Sequence, residues 1–194
     1  MSTLRSAPVS VVSADADLLI GRGALHERDP GTKIGHDRRM RIALMIVGLL
    51  VTALVVAGIM IRRLDHDAAI WHVDPLVAAK PSTPNSYRVG PDGTTEPDAL
   101  APTFSLSSAE LAAQFDAIAR GAGSGVVGGS AAEGHVTYVQ TSGLFGFPDY
   151  VSVKFMEIDA TNSTLAIFSR SRLGQSDLGV NKKRVEAWLG QLSS

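Results

Sequence analysis

The chain has 194 residues, of which 45% are hydrophobic and 19% charged, and its formal net charge is −1. This composition excludes disorder throughout, and the length suits one domain with a further segment. Residues 1–63 carry nine Lys/Arg against five Asp/Glu, whereas residues 64–194 carry nine against fourteen. The acidic larger part argues against electrostatic binding of nucleic acid. Because cysteine is absent, disulfides, thiol nucleophiles, thiolate metal sites and a lipid-modified Cys anchor are excluded.

Residues 1–41 contain turn-forming residues and no sustained helical or strand periodicity. The simplest prediction is a disordered cytoplasmic tail over residues 1–41. A second hypothesis is that translation starts at Met40, because Met40 and Arg41 would then form a short basic segment directly before an apolar stretch. The sequence leaves open whether residues 1–39 are translated.

Residues 42–61 are twenty consecutive residues without a charge. A helix of this length, at ~1.5 Å per residue, covers about 30 Å, the thickness of the hydrocarbon core of a bilayer. Its one polar residue, Thr52, can bond back to the preceding turn of the helix. A buried soluble helix is one alternative, but twenty uncharged residues between Arg clusters would be unusual there. A cleaved signal peptide is the other, but the stretch continues through Ile61, beyond the usual apolar region of a signal peptide, which has about 7–15 residues. The sequence predicts an uncleaved transmembrane helix over residues 42–61.

The charges on either side of this helix predict its orientation. More basic residues precede the helix than follow it closely, and basic residues favour the cytoplasmic side. The N-terminus should therefore be cytoplasmic and the C-terminal part exported. The basic residues before the helix are Arg28, Lys33, Arg38, Arg39 and Arg41, and those after it are Arg62 and Arg63.

Residues 62–102 are predicted to be a tether and an irregular lead-in, because six prolines interrupt residues 75–102 too often for a long helix or a central strand. Tyr87, Arg88 and Val89 form a short predicted edge strand. Trp71 is expected either near the lipid headgroups or in the core, with the core favoured.

Residues 103–194 are predicted to form the core of the exported domain. Ser107 and Glu110 fit a capping box at the start of a helix, and Gly121 marks its end. The run Gly123-x-Gly125-x-x-Gly128 has the spacing of a dinucleotide-binding loop. Such a loop needs a strand before it and a helix after it, and here the order is reversed. The run is therefore predicted to be a flexible connection.

Three strands are predicted next, at residues 135–142, 150–158 and 165–172. The first is rich in Val, Thr and Tyr, the second alternates between apolar and polar residues, and the third places Leu165 and Ile167 on one face. A final helix presents Val185, Trp188, Leu189 and Leu192 on one face, with Asp177 as its N-cap. The order helix, three-stranded meander, helix predicts an α+β domain with its helices packed on one face of an antiparallel sheet.

Four stretches of this chain resemble the family known as domain of unknown function 1499, over about residues 70–192. The most specific stretch is residues 169–184, SRSRLGQSDLGVNKKR; the others are residues 145–151, FGFPDYV, and the lead-in residues 71–75 and 84–85. The resemblance implies a small bacterial envelope domain, often anchored by a membrane helix or a lipid, with no established activity and no catalytic residues to transfer. Since the lipid-bearing Cys is absent, the helix must anchor the chain. A single-pass protein of the bacterial inner membrane with a periplasmic or extracytoplasmic domain is therefore expected.

Arg170 and Arg172 lie two residues apart on a strand, so both should project from one face, directly before a helix N-terminus that favours anions. They are therefore candidates to hold a phosphate or carboxylate. The favoured interpretation is structural, with Arg170 or Arg172 paired to Asp177 or Asp149. Asn181 should then bond to the backbone of a loop, and Gly174 and Gly179 should adopt special dihedral angles. The complete candidate set is Arg170, Arg172, Gly174, Asp177, Gly179, Asn181 and Arg184.

Five acidic and imidazole residues lie close together in the tether and are candidates to bind a divalent ion: Asp65, His66, Asp67, His72 and Asp74. Polar residues in a tether need no such explanation, so no metal or cofactor is expected. Two function classes remain open. The first is a non-enzymatic module that binds or scaffolds an envelope protein, a lipid or a small anion. The second is an unrecognised hydrolase, or an enzyme for a phosphate or other anionic ligand, that uses the loop 170–181. The sequence favours the first, because no acid/base or nucleophile pair is found.

Overall fold

The computed structural model describes residues 30–141 and 146–192, without the side chains of residues 30–36 and 62. The chain divides into two units, the first ending at Val47 and the second beginning at Gly48. Residues 1–29, which make up most of the predicted tail, lie outside the described residues. The hypothesis of a translation start at Met40 stays a prediction.

The apolar stretch lies in a single helix, α1 (Pro30–Arg62). Its part from Asp37 to Ile61 is long and apolar enough to cross a membrane. The hydroxyl of Thr52 donates to the carbonyl oxygen of Gly48 at 2.9 Å, as predicted for a polar residue in an apolar helix. The helix begins before the apolar stretch, within the segment predicted as a tail. There Arg41 binds Asp37 one turn earlier, at 2.9 Å, a spacing that favours helix.

The remaining elements form an α+β domain within the second unit. They are α2 (Ala68–Trp71), β1 (Ser86–Gly90), β2 (Ala99–Leu100), α3 (Ser108–Gly121), β3 (Gly125–Ser130), β4 (His135–Thr141), β5 (Pro148–Glu157), β6 (Ser163–Ser171) and α4 (Val180–Leu192).

The six strands form one sheet in the order β2-β1-β6-β5-β4-β3. All neighbouring strands are antiparallel except the two-residue β2, which runs parallel to β1. The predicted meander is β4-β5-β6, with strand ends within two residues of the predicted ones. The α+β class is confirmed, and the sheet is mixed and larger than the three predicted strands.

Helices α3 and α4 cover one face of the sheet, as predicted. The capping box is present: the Ser107 hydroxyl accepts the Glu110 N–H at 3.3 Å, and the Glu110 carboxylate accepts the Ser107 N–H at 3.0 Å. The core lies between these helices and the sheet, since alternate strand residues point toward the helices. It contains Val89, Phe104, Leu111, Ala112, Phe115, Ala119, Val136, Tyr138, Val151, Val153, Phe155, Leu165, Ile167, Val185, Trp188 and Leu192.

The predicted edge strand β1 is not at the edge. It lies between β6 and β2, with Val89 paired to Ile167 on one side and Ala99 on the other. The prediction failed because β2 has only two residues and carries no strand pattern of its own. Since Val89 faces the core, its neighbour Arg88 points to the opposite face.

The glycine-rich run is also different from the prediction, because it forms strand β3 at the edge beside β4. Its glycines let neighbouring residues approach the strand closely. A Cβ on Gly128 would lie only 2.9 Å from the Cβ of His72. Gly129 has φ +66°, and a Cβ there would collide with the carbonyl of His135. The glycines therefore allow the chain around His72 to pack on the sheet.

The face opposite the helices, here called the outer face, is covered by lead-in residues 65–78, before β1, and by residue 95, after it. Trp71 lies there and stacks on Tyr150 with ring centroids 3.9 Å apart. The prediction that Trp71 fills the core is therefore wrong. The lead-in has few strand or helix signals of its own. Its position is fixed instead by contacts with side chains of the sheet.

Candidate functional site

The signature segment, residues 169–184, runs from the end of β6 through a loop into α4. Because successive strand residues point to opposite faces, the segment contributes to both faces of the sheet. Ser169 and Ser171 contact Asn181 of α4, whereas Arg170 and Arg172 contact Trp71 on the outer face. The prediction that the two arginines share a face is confirmed, and the signature forms two sites that lie back to back.

An ion pair dominates the helix-covered side. Nη2 of Arg184 lies 2.6 Å from Oδ2 of Asp149, and the two side chains are only 11% and 10% exposed. Nη1 of Arg184 also donates to Oδ1 of Asn181 at 2.8 Å and to the hydroxyl of Ser169 at 3.2 Å. Since both charges are largely withdrawn from water, loss of either would leave the other uncompensated.

Asn181 is completely buried at the start of α4 and joins three segments. Its Nδ2 donates to the carbonyl oxygen of Asn85 at 2.9 Å and to the hydroxyl of Ser171 at 3.1 Å. Its Oδ1 accepts from the hydroxyl of Ser169 at 2.6 Å. Asn85 precedes β1, so the expectation that Asn181 bonds to loop backbone is confirmed.

The loop between β6 and α4 has the predicted turn chemistry. Asp177 accepts the N–H groups of Gly179 at 3.1 Å and Asn181 at 2.7 Å, so its carboxylate caps the first turn of α4. Because α4 begins at Val180, Asp177 is not the N-cap residue that the sequence predicts but lies two residues before that position. Gly174 and Gly179 have φ values of +97° and +77°, which glycine adopts most readily. Leu178 has φ +53°, a conformation that is uncommon for a bulky residue, and its side chain is 87% exposed.

The predicted pairing of Arg170 or Arg172 with Asp177 or Asp149 is wrong. The carboxylate of Asp177 is held by backbone N–H groups. Asp149 faces α4, across the sheet from the two arginines, and binds Arg184 there. Sequence spacing suggested the pairs, but strand alternation in β5 and β6 places the charges on opposite faces.

Arg170 is buried on the outer face between two aromatic rings. Its guanidinium carbon lies 4.9 Å from the ring centroid of Phe168 and 5.5 Å from that of Trp71. Its Nη2 donates to the carbonyl oxygen of Trp71 at 2.7 Å, and its Nη1 to the hydroxyl of Ser152 at 3.3 Å. Burial, with a further effect of nearby Arg88, lowers the pKa of Arg170 to about 10.

Arg88 also contacts the Phe168 ring, with its guanidinium carbon 4.1 Å from the ring centroid, and is completely buried. Its guanidinium donates to the carbonyl oxygens of Thr95 and Ala78. Burial lowers the pKa of Arg88. Among the described residues, neither Arg88 nor Arg170 forms an ion pair, so carbonyl oxygens and aromatic rings hold both cations.

Arg172 connects the sheet to the first residues after α1. Its Nη1 donates to the carbonyl oxygen of Asp65 at 2.6 Å and to the hydroxyl of Tyr150 at 3.3 Å. The same hydroxyl lies 2.8 Å from Nδ1 of His66. The guanidinium also lies over Trp71, 5.5 Å from the ring centroid. Arg172 is thus occupied by backbone and ring contacts.

The acidic and imidazole side chains of the lead-in lie apart from one another on the outer face. His66 contacts Tyr150, Asp67 caps α2, His72 contacts Thr137, and Asp74 binds Lys154. Within residues 30–141 and 146–192, no three His, Asp or Glu side chains form a group that could hold a metal ion.

His72 and Asp74 have shifted pKa values. Burial, and then the stacked ring of His135 at 4.0 Å, lowers the pKa of His72. Burial opposes ionisation of Asp74, but hydrogen bonds from Lys154 and from the Leu76 N–H outweigh it and lower the pKa. The lowered pKa values favour the neutral imidazole of His72 and the ionised carboxylate of Asp74.

Two clefts lie on either side of the Asp149–Arg184 pair. The larger, about 410 Å³, is lined by Gln140, Thr141, Asp149, Val180, Lys183, Arg184 and Trp188. The smaller, about 320 Å³, is lined by Phe147, Asp149, Ser171, Leu173, Ser176, Asp177, Leu178 and Val180. The smaller cleft is largely apolar at its rim, with the buried carboxylate beneath.

The hydroxyl of Ser169, close to these clefts, is held in fixed hydrogen bonds. A serine nucleophile needs a base in contact with its hydroxyl. The hydroxyl of Ser169 donates to Asn181 and accepts from Arg184, so a fixed hydrogen-bond network occupies it. The imidazoles placed on the sheet belong to the outer face: they are His66, His72 and His135.

Several residues of this site are absent from the sequence-based candidates. The sequence suggests Asp149 only as a partner of Arg170 or Arg172, and it does not predict the pairing of Asp149 with Arg184. For Arg88 the sequence does carry a signal of a special role. A cation between Tyr87 and Val89 of a predicted strand must either face water or find buried partners.

The fold and the site define an α+β domain that follows a long apolar helix and is locked by a signature spanning both faces of its sheet. The chain belongs to the family of proteins of unknown function DUF1499, whose model matches residues 76–192, from just before β1 to the end of α4. No curated protein and no solved structure matches the chain.

Proposed function

We propose that this chain is a single-pass protein of a bacterial inner membrane, with a cytoplasmic N-terminus and an exported α+β domain that acts as a non-enzymatic binding or scaffolding module. The observation that carries the proposal concerns α1. Its most apolar part is not buried inside the protein at all. Since a helix that is apolar on all sides requires an apolar surrounding, a bilayer is the environment that fits it.

The orientation rests on the basic residues around this helix. Of those within fifteen residues or so, five precede the apolar stretch and two, Arg62 and Arg63, follow it. An excess of basic residues keeps the N-terminal side in the cytoplasm, so the domain that follows Arg63 is exported.

A binding role is favoured over catalysis because the polar side chains of the signature hold the domain together. Asp149, Asn181 and Arg184 are engaged with one another or with neighbouring backbone and hydroxyl groups. A reacting group must be able to exchange its partners, whereas this network links β1, β5, β6 and α4 in one arrangement. Such rigidity suits a domain that presents a surface.

The topology is tested by fusing two reporters behind residue 194 of the full chain. A phosphatase that is active only after export should be active, and a fluorescent reporter that matures only in the cytoplasm should stay dark. As a matched control, reversing Arg38, Arg39 and Arg41 to Glu should weaken or invert the pattern. The opposite reporter pattern in the unaltered chain would contradict the proposed orientation.

The non-enzymatic role is tested with the full chain purified in mild detergent and given a panel of phosphate and acyl esters. No turnover above that of a mock preparation is expected. Turnover that Ser171→Ala or Ser169→Ala abolishes without loss of fold would overturn the binding role, since these hydroxyls border the Asp149–Arg184 pair.

A further inference from the structure

Four apolar side chains are grouped at one end of the sheet, where β5 begins and β6 ends. This apolar patch consists of Phe147, Leu173, Leu178 and Val180, which line the same cleft and are all substantially exposed. Grouped exposed apolar side chains on a domain indicate an interaction surface, whereas single ones need no explanation.

Leu178 is the most exposed member of the patch, and its backbone is held in an unusual conformation. Its φ of +53° lies in the left-handed region, between the cap Asp177 and the positive-φ Gly179. Such a conformation persists only where the surroundings impose it, and it is concentrated at functional sites. The loop therefore fixes a leucine in a position where it points away from its own core.

The end of the membrane helix is joined by a short stretch of chain to a contact beside the patch. α1 ends at Arg62, and only Arg63 and Leu64 separate it from Asp65. The carbonyl oxygen of Asp65 accepts from Arg172, the residue directly before Leu173 of the patch. Three residues span at most about 10 Å, so this end of the sheet cannot move far from the helix end.

The next contact along the chain holds the same end of the domain. His66 Nδ1 lies 2.8 Å from the hydroxyl of Tyr150, near the start of β5. Glu157, at the other end of β5, is seven residues further along the strand, or about 23 Å away. If α1 spans a bilayer, whose headgroup layer is about 5–7 Å deep, the patch is therefore the part of the domain nearest to the headgroups.

A basic side chain accompanies the apolar ones at this end. Lys183 is exposed and lines the neighbouring cleft together with Val180, whereas the guanidinium of Arg172, the residue before Leu173, is engaged on the outer face. The carboxylates that line the two clefts are engaged within the protein, Asp149 by Arg184 and Asp177 by backbone N–H groups. Apolar side chains beside a cation match the interface of a bilayer that contains anionic lipids.

We propose that the apolar patch docks onto the surface of the lipid bilayer in which α1 of the same chain is anchored, with Leu178 entering the headgroup layer and Lys183 next to anionic headgroups. The proposal rests on the proposed membrane anchoring of α1. It names the lipid surface as the partner of the signature loop and fixes which end of the domain faces the membrane.

The absence of cysteine from the chain allows a direct test by single labels. The full chain carrying Leu178→Cys is labelled with an environment-sensitive fluorophore and reconstituted in nanodiscs of phosphatidylcholine and phosphatidylglycerol. Leu100→Cys is the matched control. This leucine is 68% exposed and pairs with Gly90, at the end of β1 that lies away from the patch. Leu54→Cys, in the apolar part of α1, reports on the anchor itself.

Two quenchers are then compared, a lipid-borne nitroxide and aqueous iodide. The label at residue 178 should be quenched by the nitroxide and lose most of its iodide quenching, whereas the label at residue 100 should behave in the opposite way. A second reporter, Leu173→Cys, should follow residue 178 and covers the case in which the Leu178 variant does not fold. Nanodiscs of phosphatidylcholine alone should reduce the nitroxide quenching at residue 178.

The outcomes separate the two proposals. Nitroxide quenching at residue 54 together with free access of iodide to residues 178 and 173 would overturn the docking while leaving the anchor intact. Absence of nitroxide quenching at residue 54 would overturn the membrane anchor and the docking with it. Shielding of residue 178 from iodide without quenching by the nitroxide would mean a protein surface, such as a second copy of the chain, and would also overturn the docking.

Discussion

Arg184 of α4 and Asp149 of β5 form an ion pair of 2.6 Å on the helix-covered side of the sheet. The same guanidinium holds Asn181, which in turn holds the backbone of Asn85 before β1. One cation therefore connects the last helix to two strands that are distant in sequence. The stability of the domain should depend on it more than on the other charges of the signature.

Arg184→Ala should lower the free energy of unfolding by about 3–5 kcal/mol, because it leaves the buried carboxylate of Asp149 unpaired. Denaturant unfolding of the full chain in detergent, followed by tryptophan fluorescence, measures the change. Lys182→Ala is the control, since Lys182 is 58% exposed and pairs with Glu186 at 3.8 Å on the same helix; it should cost less than about 1 kcal/mol. Equal effects of the two substitutions would show that the Asp149 pair is unimportant.

Arg172→Ala and Asp177→Asn should act independently, because Arg172 contacts Asp65 and Tyr150 and not Asp177. Each change should cost about 0.5–2 kcal/mol, the first through lost hydrogen bonds and the second through a weakened helix cap. The double variant should lose the sum of the two within about 0.5 kcal/mol. A coupling energy well above that value in the double-mutant cycle would restore the pairing that the sequence suggested.

Arg170→Ala should lower the free energy of unfolding by about 1.5–3 kcal/mol, because a charged donor to the Trp71 carbonyl is lost. It also removes the cation between the rings of Trp71 and Phe168. In a Trp188→Phe background, Trp71 is the only tryptophan of the chain, and its emission should shift to longer wavelength. Unchanged emission would mean that Arg170 does not hold the lead-in on the sheet.

The stability of the domain should fall as the pH drops below 6.5, through His72. Because its folded pKa is lowered from 6.5, the unfolded chain binds more protons, so its contribution is present above that pH and lost below it. Melting temperatures at about pH 7.5 and about pH 5.5 should differ less in His72→Gln than in the unaltered chain. Equal differences in the two proteins would remove His72 as the cause.

Local signals account for the parts of the fold that the sequence predicts well. The capping box at Ser107, the alternation of β4, β5 and β6, and the cap at Asp177 each depend on residues within a few positions of one another. For the same reason the common face of Arg170 and Arg172 was predictable. Periodicity alone fixes which side of a strand a residue faces.

Long-range contacts account for the parts that the sequence does not predict. Strand β3 consists largely of glycine and exists because β4 pairs with it and because His72 needs the space above Gly128. The partner of Arg172 lies 107 residues away, at Asp65. Nothing in the spacing of charges identifies such a partner, because it depends on which segment covers the outer face.

The central claim, that a single helix anchors an exported domain, is tested most directly by the accessibility of one cysteine. Leu100→Cys places a thiol at an exposed position of the domain, in a chain with no other cysteine. The account predicts that a membrane-impermeant maleimide labels this variant in intact spheroplasts and that lysis does not increase the labelling, whereas the unaltered chain is never labelled. Labelling of Leu100→Cys only after lysis would place the domain in the cytoplasm and contradict the claim.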